Sequence, residues 1–176
     1  MKSRICAACL VRNGDRILLG RKPRGRGPYP DTWHIPGGGV DLSVETAREA
    51  MAREINEETG LEVKNLEEMA WDTDIEKDKN GMPTYYVFLQ FTADYSRGKL
   101  KAGDDITSSD IPTAKAVGLL GRWDPACASN TCRLKAAVSG ACKMKSFRWV
   151  GIKDLKKFKL NKPTKNLIEK LGLIAD

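Results

Sequence analysis

The sequence predicts a single α/β domain, and three observations support this prediction. The chain has 176 residues, which is enough for one domain with a hydrophobic core and short for two. Apolar segments with strand-like composition occur together with segments whose apolar residues recur at helical spacing. The composition is 41% hydrophobic and 30% charged, which is typical of folded globular domains and excludes a fibrous or wholly disordered chain.

The first predicted element is a β-hairpin. Two apolar runs, residues 5–11 and 17–19, flank an Asn-Gly-Asp sequence at residues 13–15, which is typical of a tight turn between antiparallel strands. A loop rich in arginine, proline and glycine follows over residues 21–30. Its basic side chains either face a phosphate group or are simply solvated, and the sequence favours neither interpretation.

The spacing of apolar residues predicts a helix over residues 43–59. Ser43 is the predicted N-cap, Glu45 suits the positive end of the helix dipole, and Gly60 follows where a helix commonly ends. The predicted buried stripe consists of Val44, Ala47, Met51 and Ile55.

Three further strands and a second helix are predicted downstream. The strands cover residues 67–74, 85–93 and 147–152, and the first two are joined by a polar connection containing an Asn-Gly pair. A short C-terminal helix is predicted over residues 164–171. Residues 107–145 differ from their surroundings, because they lack Glu, Phe and Tyr and hold three of the five cysteines. We interpret this segment as an insertion.

Charge and composition restrict the partners and the chemistry. The net charge of +7 favours polyanionic partners such as nucleotides or nucleic acid. No apolar stretch is long enough to span a membrane, and the N-terminal apolar run is too short for a signal peptide, so we expect a cytoplasmic protein without a membrane partner. The single histidine, His34, excludes a multi-histidine zinc site, and we expect it to pack and not to catalyse.

Three carboxylates are the strongest candidates for chemistry. Glu54, Glu57 and Glu58 are spaced i, i+3 and i+4, so a helix presents them within one quadrant of its surface. Their mutual repulsion is relieved by a hard divalent cation, which takes carboxylate oxygens and keeps water or phosphate in its remaining positions. Mg²⁺ and Mn²⁺ are both ions of this kind. Taken alone, the same spacing also fits a solvated charged helix face.

The wider pattern around these carboxylates resembles the signature of the Nudix hydrolase family. Residues 39–61 read Gly-x5-Glu-x7-Arg-Glu-Ile-x-Glu-Glu-x-Gly-Leu, which is similar to the family's signature box without a departure. The preceding residues 33–38, Trp-His-Ile-Pro-Gly-Gly, resemble the MutT-like branch. The resemblance implies an α/β/α sandwich with a mixed β-sheet over residues 3–172, interrupted by the insertion at 107–145 before the last strand.

The resemblance also implies roles for individual residues. Glu54, Glu57 and Glu58 match the family's metal ligands, and the backbone carbonyl of Gly38 is an additional expected ligand. The remaining matched positions are structural: Arg53 and Glu45 as the pair that orients the box, and Gly39 and Gly60 as glycines that permit its turns through their freedom at positive φ.

The implied reaction is hydrolysis of a nucleoside diphosphate linked to another group. A cation on the pyrophosphate neutralises charge and lowers the pKa of a bound water, and a carboxylate must take the proton. Glu57 is one candidate for this base, and Glu54 is the other predicted catalytic residue on the helix. The later acidic pair Asp104-Asp105 is the other candidate, with Asp105 named as the catalytic residue.

The predicted activity is Mg²⁺-dependent pyrophosphohydrolysis of nucleoside triphosphates, normal or oxidised, to a monophosphate and pyrophosphate. ADP-ribose or a nucleotide sugar is the alternative substrate. A non-catalytic nucleotide-binding or RNA-binding module is the alternative from a different class, although such a module has no need for three clustered carboxylates beside a phosphate ligand.

Overall fold

The computed structural model describes residues 1–22, 27–100 and 146–174. The predicted N-terminal hairpin is confirmed: β1 (Lys2–Asn13) and β2 (Arg16–Arg21) pair antiparallel, with Asn13 opposite Arg16. In the turn between them Gly14 has a positive φ of 61°, which glycine adopts without steric cost. Residues 23–26 of the predicted basic loop lie outside the described residues.

Within the described residues, the strands form one mixed sheet of seven. β1 lies beside a long antiparallel hairpin, β5 (Leu61–Lys77) and β6 (Pro83–Gly98), and pairs in parallel with β6. These two strands extend beyond the predicted segments because backbone pairing continues through polar residues that show no apolar alternation. The other pairings are antiparallel: β3 (Trp33–His34) and β7 (Ser146–Gly151) with β2, and β4 (Gly37–Gly39) with β1.

Helix α1 spans Ala47–Thr59, and its start corrects the prediction. Thr46 is the N-cap instead of Ser43. The Thr46 hydroxyl accepts from the backbone N–H of Glu49 at 3.2 Å, and the Glu49 carboxylate accepts from the backbone N–H of Thr46 at 2.9 Å. This reciprocal capping box satisfies two backbone donors, whereas Ser43 donates to Asp41 in the preceding loop.

The later start of α1 also corrects the predicted apolar stripe. Val44 lies before the helix and is 79% exposed, whereas Met51 and Ile55 are fully buried and Ala47 packs at the edge of the core. The end of the helix is as predicted: Gly60 has a φ of 72° and donates its backbone N–H to the carbonyl of Asn56.

Helices cover both faces of the sheet, which confirms the α/β/α sandwich. Helix α2 spans Lys162–Lys170, close to the predicted 164–171, and begins at the N-cap Asn161, whose side chain accepts from the N–H of Thr164. Successive residues of β1 alternate between two cores. The core under α1 contains Ala7, Cys9, Val11, Met51, Ile55 and Phe91, and the core under α2 contains Leu10, Ile17, Leu19, Leu155, Leu167 and Ile168.

The predicted insertion, residues 107–145, lies outside the described residues. The strands on either side of it are described: β6 ends at Gly98, and β7 begins at Ser146 and completes the sheet beside β2. Among the helices that the structure describes, none has the length and apolar character needed to cross a membrane.

Candidate active site

A strand of three glycines brings backbone into contact with helix α1. β4 pairs with β1 so that Gly38 lies opposite Ala7. A Cβ on Gly38 would lie 2.3 Å from the carboxyl carbon of Glu54, and a Cβ on Gly37 would lie 2.4 Å from the carbonyl oxygen of Ala7. Neither position has room for a side chain, so the glycines set the close approach of this strand to the helix.

Glu54 is the buried carboxylate of the site. Its residue is only 8% exposed, and both of its oxygens lie against Gly38. A carboxylate at this depth needs a cation or hydrogen-bond donors, and Nη1 of Arg53 supplies one donor at 3.0 Å. Gly38 and Glu54, both expected metal ligands, are therefore in contact in the fold.

Arg53 connects the carboxylates of the site. Its Nη1 donates to both Glu54 and Glu57, at 3.0 and 3.1 Å, while the rest of its guanidinium is held by Glu45. These hydrogen bonds, with Glu45 first, raise the pKa of Arg53 despite the opposing effect of burial. The same contact lowers the pKa of Glu45, so both groups stay ionised.

Glu57 and Glu58 lie on either side of the buried Glu54. The side chain of Glu57 is 60% exposed, so it is accessible to a ligand arriving from solvent. Glu58 points towards the glycine strand, and its Oε2 accepts from the backbone N–H of Gly37 at 3.3 Å. The structure thus brings Glu54 and Glu57 together through Arg53, and Glu58 to β4.

The donor set suits a hard divalent ion, but the ligands are not already gathered around one point. Within residues 1–22, 27–100 and 146–174, no group of three Asp, Glu, His or Cys side chains is positioned to hold a metal ion. Nη1 of Arg53 occupies the space between Glu54 and Glu57. Carboxylate oxygens beside a glycine backbone fit an ion that completes its coordination with water and substrate phosphate.

Gly39 and Gly60, the two glycines expected to permit turns, differ in backbone conformation. Gly39 lies in β4 and does not have a positive φ, unlike Gly60 at 72°. A Cβ at Gly39 would instead lie 2.9 Å from Nη2 of Arg4. Glycine at this position therefore leaves room for the Arg4 guanidinium, a cation beside the site that the sequence analysis missed.

The other predicted candidates lie elsewhere. Asp104 and Asp105 are outside the described residues. His34 is 8% exposed, with Nδ1 2.7 Å from the carbonyl oxygen of Ile35 and its ring edge-on to Phe147, which agrees with the predicted packing role.

A polar cluster that sequence reasoning missed joins three distant segments. Asp74 of β5 accepts from the hydroxyl of Tyr29 at 2.6 Å and from Nζ of Lys162 at 2.7 Å. The partners are 45 and 88 positions away along the chain, so no local pattern could have indicated them. The cluster ties the loop after β2 and the start of α2 to the sheet.

Comparisons with known proteins agree with this fold. A family model described as the NUDIX domain matches residues 2–124. The ADP-ribose pyrophosphatase of Methanocaldococcus jannaschii is 33% identical over 102 residues, which span 58% of this chain and 57% of that protein. The nucleoside triphosphatase NudI of an Enterobacter species is 30% identical over 116 residues, which span 62% of this chain and 77% of that protein.

A solved structure agrees with the same architecture. The crystal structure of a MutT protein from Bacillus halodurans superposes with a TM-score of 0.61 at 20% identity, covering 98% of this chain and 84% of that chain. The three-layer fold, the glycine strand and the acidic helix agree with the NUDIX domain that the family model describes. The chain belongs to the Nudix hydrolase family, whose members generally use divalent metal ions.

Proposed function

We propose that this chain is a Mg²⁺-dependent pyrophosphohydrolase of nucleoside triphosphates, normal or oxidised, which releases a monophosphate and pyrophosphate. The observation that carries the proposal is the buried carboxylate of Glu54, held against Gly38 and connected through Arg53 to the exposed Glu57. We propose that the catalytic domain covers residues 3–172, with residues 107–145 inserted before β7.

The proposed metal ligands are Glu54, Glu57, Glu58 and the backbone carbonyl of Gly38. Mg²⁺, or Mn²⁺ as the alternative, would supply positive charge to the phosphates and lower the pKa of the attacking water. Glu54 is the ligand that the fold holds in place, because it is buried and has no room to move towards Gly38. Glu57 is exposed and therefore the ligand that can adjust to substrate.

The remaining residues of the site position the carboxylates and move the proton. Arg53 prevents Glu54 and Glu57 from repelling each other before substrate arrives. The proposed base is Glu57, which is within reach of solvent, with Asp105 as the alternative. Arg4, whose guanidinium lies over Gly39, adds a positive charge that suits a phosphate chain.

Two substrate classes remain in the proposal. The similarity to a nucleoside triphosphatase, with 77% of that protein spanned, supports nucleoside triphosphates. The similarity to an ADP-ribose pyrophosphatase supports ADP-ribose as the second candidate. Both reactions break a pyrophosphate linkage, so the same carboxylates and cation serve either substrate.

The test is hydrolysis of a panel containing nucleoside triphosphates, oxidised deoxynucleotides, ADP-ribose and nucleotide sugars, with Mg²⁺ and with products identified by mass. The variant Glu57→Gln removes the proposed ligand and base, and we expect its turnover to fall by about a hundredfold or more. Glu68→Gln is the matched control, because Glu68 is an exposed residue of β5 away from the site.

The products decide between the candidates. Release of pyrophosphate from a triphosphate supports the first substrate class, and AMP from ADP-ribose supports the second. An enzyme whose Glu57→Gln variant keeps wild-type turnover contradicts the assigned role of Glu57. Tight binding of nucleotide or RNA without turnover of any substrate would instead support the non-catalytic module.

A further inference from the structure

The positive charge of the chain is concentrated near its C-terminus. Residues 153–170 contain seven lysines and two acidic residues, so this segment carries +5 of the chain's net charge of +7. All seven lysines are exposed to solvent, and we call the surface that they form the lysine surface. Its members are Lys153, Lys156, Lys157, Lys159, Lys162, Lys165 and Lys170.

The lysine surface is the outer side of the layer that covers the sheet opposite α1. A short 3₁₀ helix, Ile152–Lys157, and helix α2 bury Leu155, Leu167 and Ile168 in the same core. The lysines of both helices stay in water, because the apolar residues take the side that faces the core. The proposed metal ligands lie on α1, so the sheet separates the lysine surface from them.

The two acidic residues of the segment are already engaged. Asp154 accepts from Nζ of Lys157 at 2.6 Å, and Glu169 pairs with Nζ of Lys165 at 3.4 Å. Neither carboxylate is therefore available as an ion-pair partner for the other lysines of the surface.

Three lysines of this surface have no carboxylate partner in the part of the chain that the structure describes: Lys153, Lys156 and Lys159. Side chains three positions apart lie on the same side of a 3₁₀ helix, so Lys153 and Lys156 project together. Lys159 follows two residues after this helix ends. Like charges this close repel one another, and a ligand with several negative charges relieves the repulsion.

The lysine surface offers charge without stacking contacts. The exposed large apolar residues that the structure describes all lie at or before Met82, outside this segment. Phe158, the aromatic residue of the segment, packs edge-on against Trp33 with 5.2 Å between the ring centroids. Proteins that bind single strands stack the bases on aromatic side chains, whereas a duplex can be bound through its phosphates alone. These features favour a double helix over a single strand.

A membrane is less suited to the same lysines. Helices that lie in a membrane interface insert an exposed apolar face below the headgroups. In α2 the apolar residues Leu167 and Ile168 are buried in the protein core. The lysine surface therefore matches an array of phosphates that it contacts from outside.

We propose that the lysine surface binds the phosphate backbone of a double-stranded nucleic acid, without regard to base sequence. An RNA duplex and a DNA duplex present the same phosphate chemistry. Each lysine that neutralises a phosphate releases a counterion, so the affinity falls steeply as salt rises. This binding goes beyond the proposed hydrolysis and does not use its residues.

Fluorescence anisotropy of the full chain with labelled nucleic acids, over a series of salt concentrations, tests the proposal. The probes are an RNA duplex, a DNA duplex of the same sequence and one RNA strand alone. The test variant combines Lys153→Gln, Lys156→Gln and Lys159→Gln. We expect its affinity for a duplex to fall by about tenfold or more at low salt, and the slope of log K against log salt to become less steep by about 2–3.

The matched control combines Lys64→Gln, Lys77→Gln and Lys79→Gln. These three lysines are exposed on β5 and in the turn after it, so the control loses the same net charge from a different surface. Thermal unfolding checks the fold of both variants, which exposed substitutions change little.

The outcomes separate a binding surface from a general effect of net charge. Duplex binding that weakens in the test variant and not in the control supports the proposal, and the duplex that binds more tightly identifies the nucleic acid. The proposal is overturned if neither duplex binds, if both variants weaken binding equally, or if the single strand binds more tightly than either duplex. Binding to vesicles of phosphatidylcholine and phosphatidylserine, without binding to a duplex, also overturns it. Hydrolysis is not a readout here, so this proposal and the proposed activity can fail separately.

Discussion

Arg53 and Glu45 form a bidentate ion pair across the start of helix α1. Nε of Arg53 donates to Oε2 of Glu45 at 3.0 Å, and Nη2 donates to Oε1 at 2.8 Å. The third nitrogen, Nη1, is left to contact Glu54 and Glu57. The pair therefore sets the direction from which Arg53 approaches the proposed metal ligands.

Replacement of Arg53 by lysine tests this positioning role. Lysine keeps the charge but cannot donate two parallel N–H groups, so the contacts with Glu54 and Glu57 are lost or shifted. We expect kcat/KM to fall by about tenfold or more, with the free energy of unfolding reduced by about 1–2 kcal/mol. Arg97→Lys is the control, since Arg97 makes an exposed ion pair with Glu62. Equal losses of kcat/KM in Arg53→Lys and Arg97→Lys would refute a specific role for the Arg53 guanidinium.

A methyl group at Gly38 is expected to displace Glu54. The added Cβ would lie 2.3 Å from the Glu54 carboxyl carbon, so helix and strand must separate or the carboxylate must rotate. We expect Gly38→Ala to lose about 1–3 kcal/mol of stability and to need more Mg²⁺ for half-maximal turnover. Gly151→Ala is the control, because the nearest atom to a Cβ added there is in the flexible Asp154 carboxylate, at 3.2 Å. Gly151→Ala should therefore keep its Mg²⁺ requirement, measured by titrating the metal against initial rate.

The capping box of α1 can be tested against the cap that the sequence predicted. Thr46→Ala removes the side chain that accepts from Glu49, and we expect a loss of about 1 kcal/mol in the free energy of unfolding. Ser43→Ala removes an exposed contact with Asp41 and should change that energy by less than about 0.5 kcal/mol. Urea denaturation measures both, and a larger effect at Ser43 would show that the helix begins earlier.

The cluster around Asp74 predicts how stability depends on pH. Burial opposes ionisation of Asp74, but hydrogen bonds from Lys162 and Tyr29 outweigh it and hold the pKa of Asp74 below its ordinary value of 3.8. A carboxyl with a lowered pKa in the folded state stabilises that state above its ordinary pKa, and this contribution is lost as the pH falls through the folded pKa.

Asp74→Asn should therefore be less stable than the wild type at neutral pH, by about 1 kcal/mol. The difference should shrink in acid, where the wild-type carboxyl is itself protonated. Urea unfolding across the acid range measures it, with Asp15→Asn as an exposed control in the hairpin turn. A difference that stays constant down to the lowest pH would rule out the ionised Asp74 as its cause.

Tyr29, in the same cluster, predicts that stability falls at alkaline pH. Burial, with the hydrogen bond to Asp74, raises the pKa of Tyr29 above its ordinary value of 10.0. The phenol of the unfolded chain ionises first as the pH rises, so stability should begin to fall above that value. Tyr29→Phe should remove this part of the alkaline decline, as followed by unfolding at increasing pH.

Local patterns account for the parts of the fold that were predicted correctly. The turn at Gly14 and the end of α1 at Gly60 both depend on glycine at a positive φ, which a few neighbouring residues decide. The true N-cap also had a local signal, because Thr46 and Glu49 have the spacing of a capping box. Ser43 also carries a capping side chain, and only the contacts distinguish the two residues.

The contact at Gly39 shows what a local pattern misses. The sequence predicts a turn at Gly39, but the structure shows that this glycine makes room for Arg4. Arg4 is 35 positions earlier in the chain and lies on the neighbouring strand β1. The pairing of Arg12 with Asp94 likewise becomes visible only when β1 and β6 lie side by side. Both depend on which strands pair and in what register, and the register of distant strands is a property of the whole sheet.

The sequence by itself determined the order of elements, the helical spacing of Glu54, Glu57 and Glu58 and the family signature, because these depend on residues close together along the chain. The tertiary structure alone decided which carboxylate is buried, which carboxylates Arg53 contacts and where the glycine strand meets the helix. Burial and ion pairing need partners from separate elements, and only folding brings those elements together.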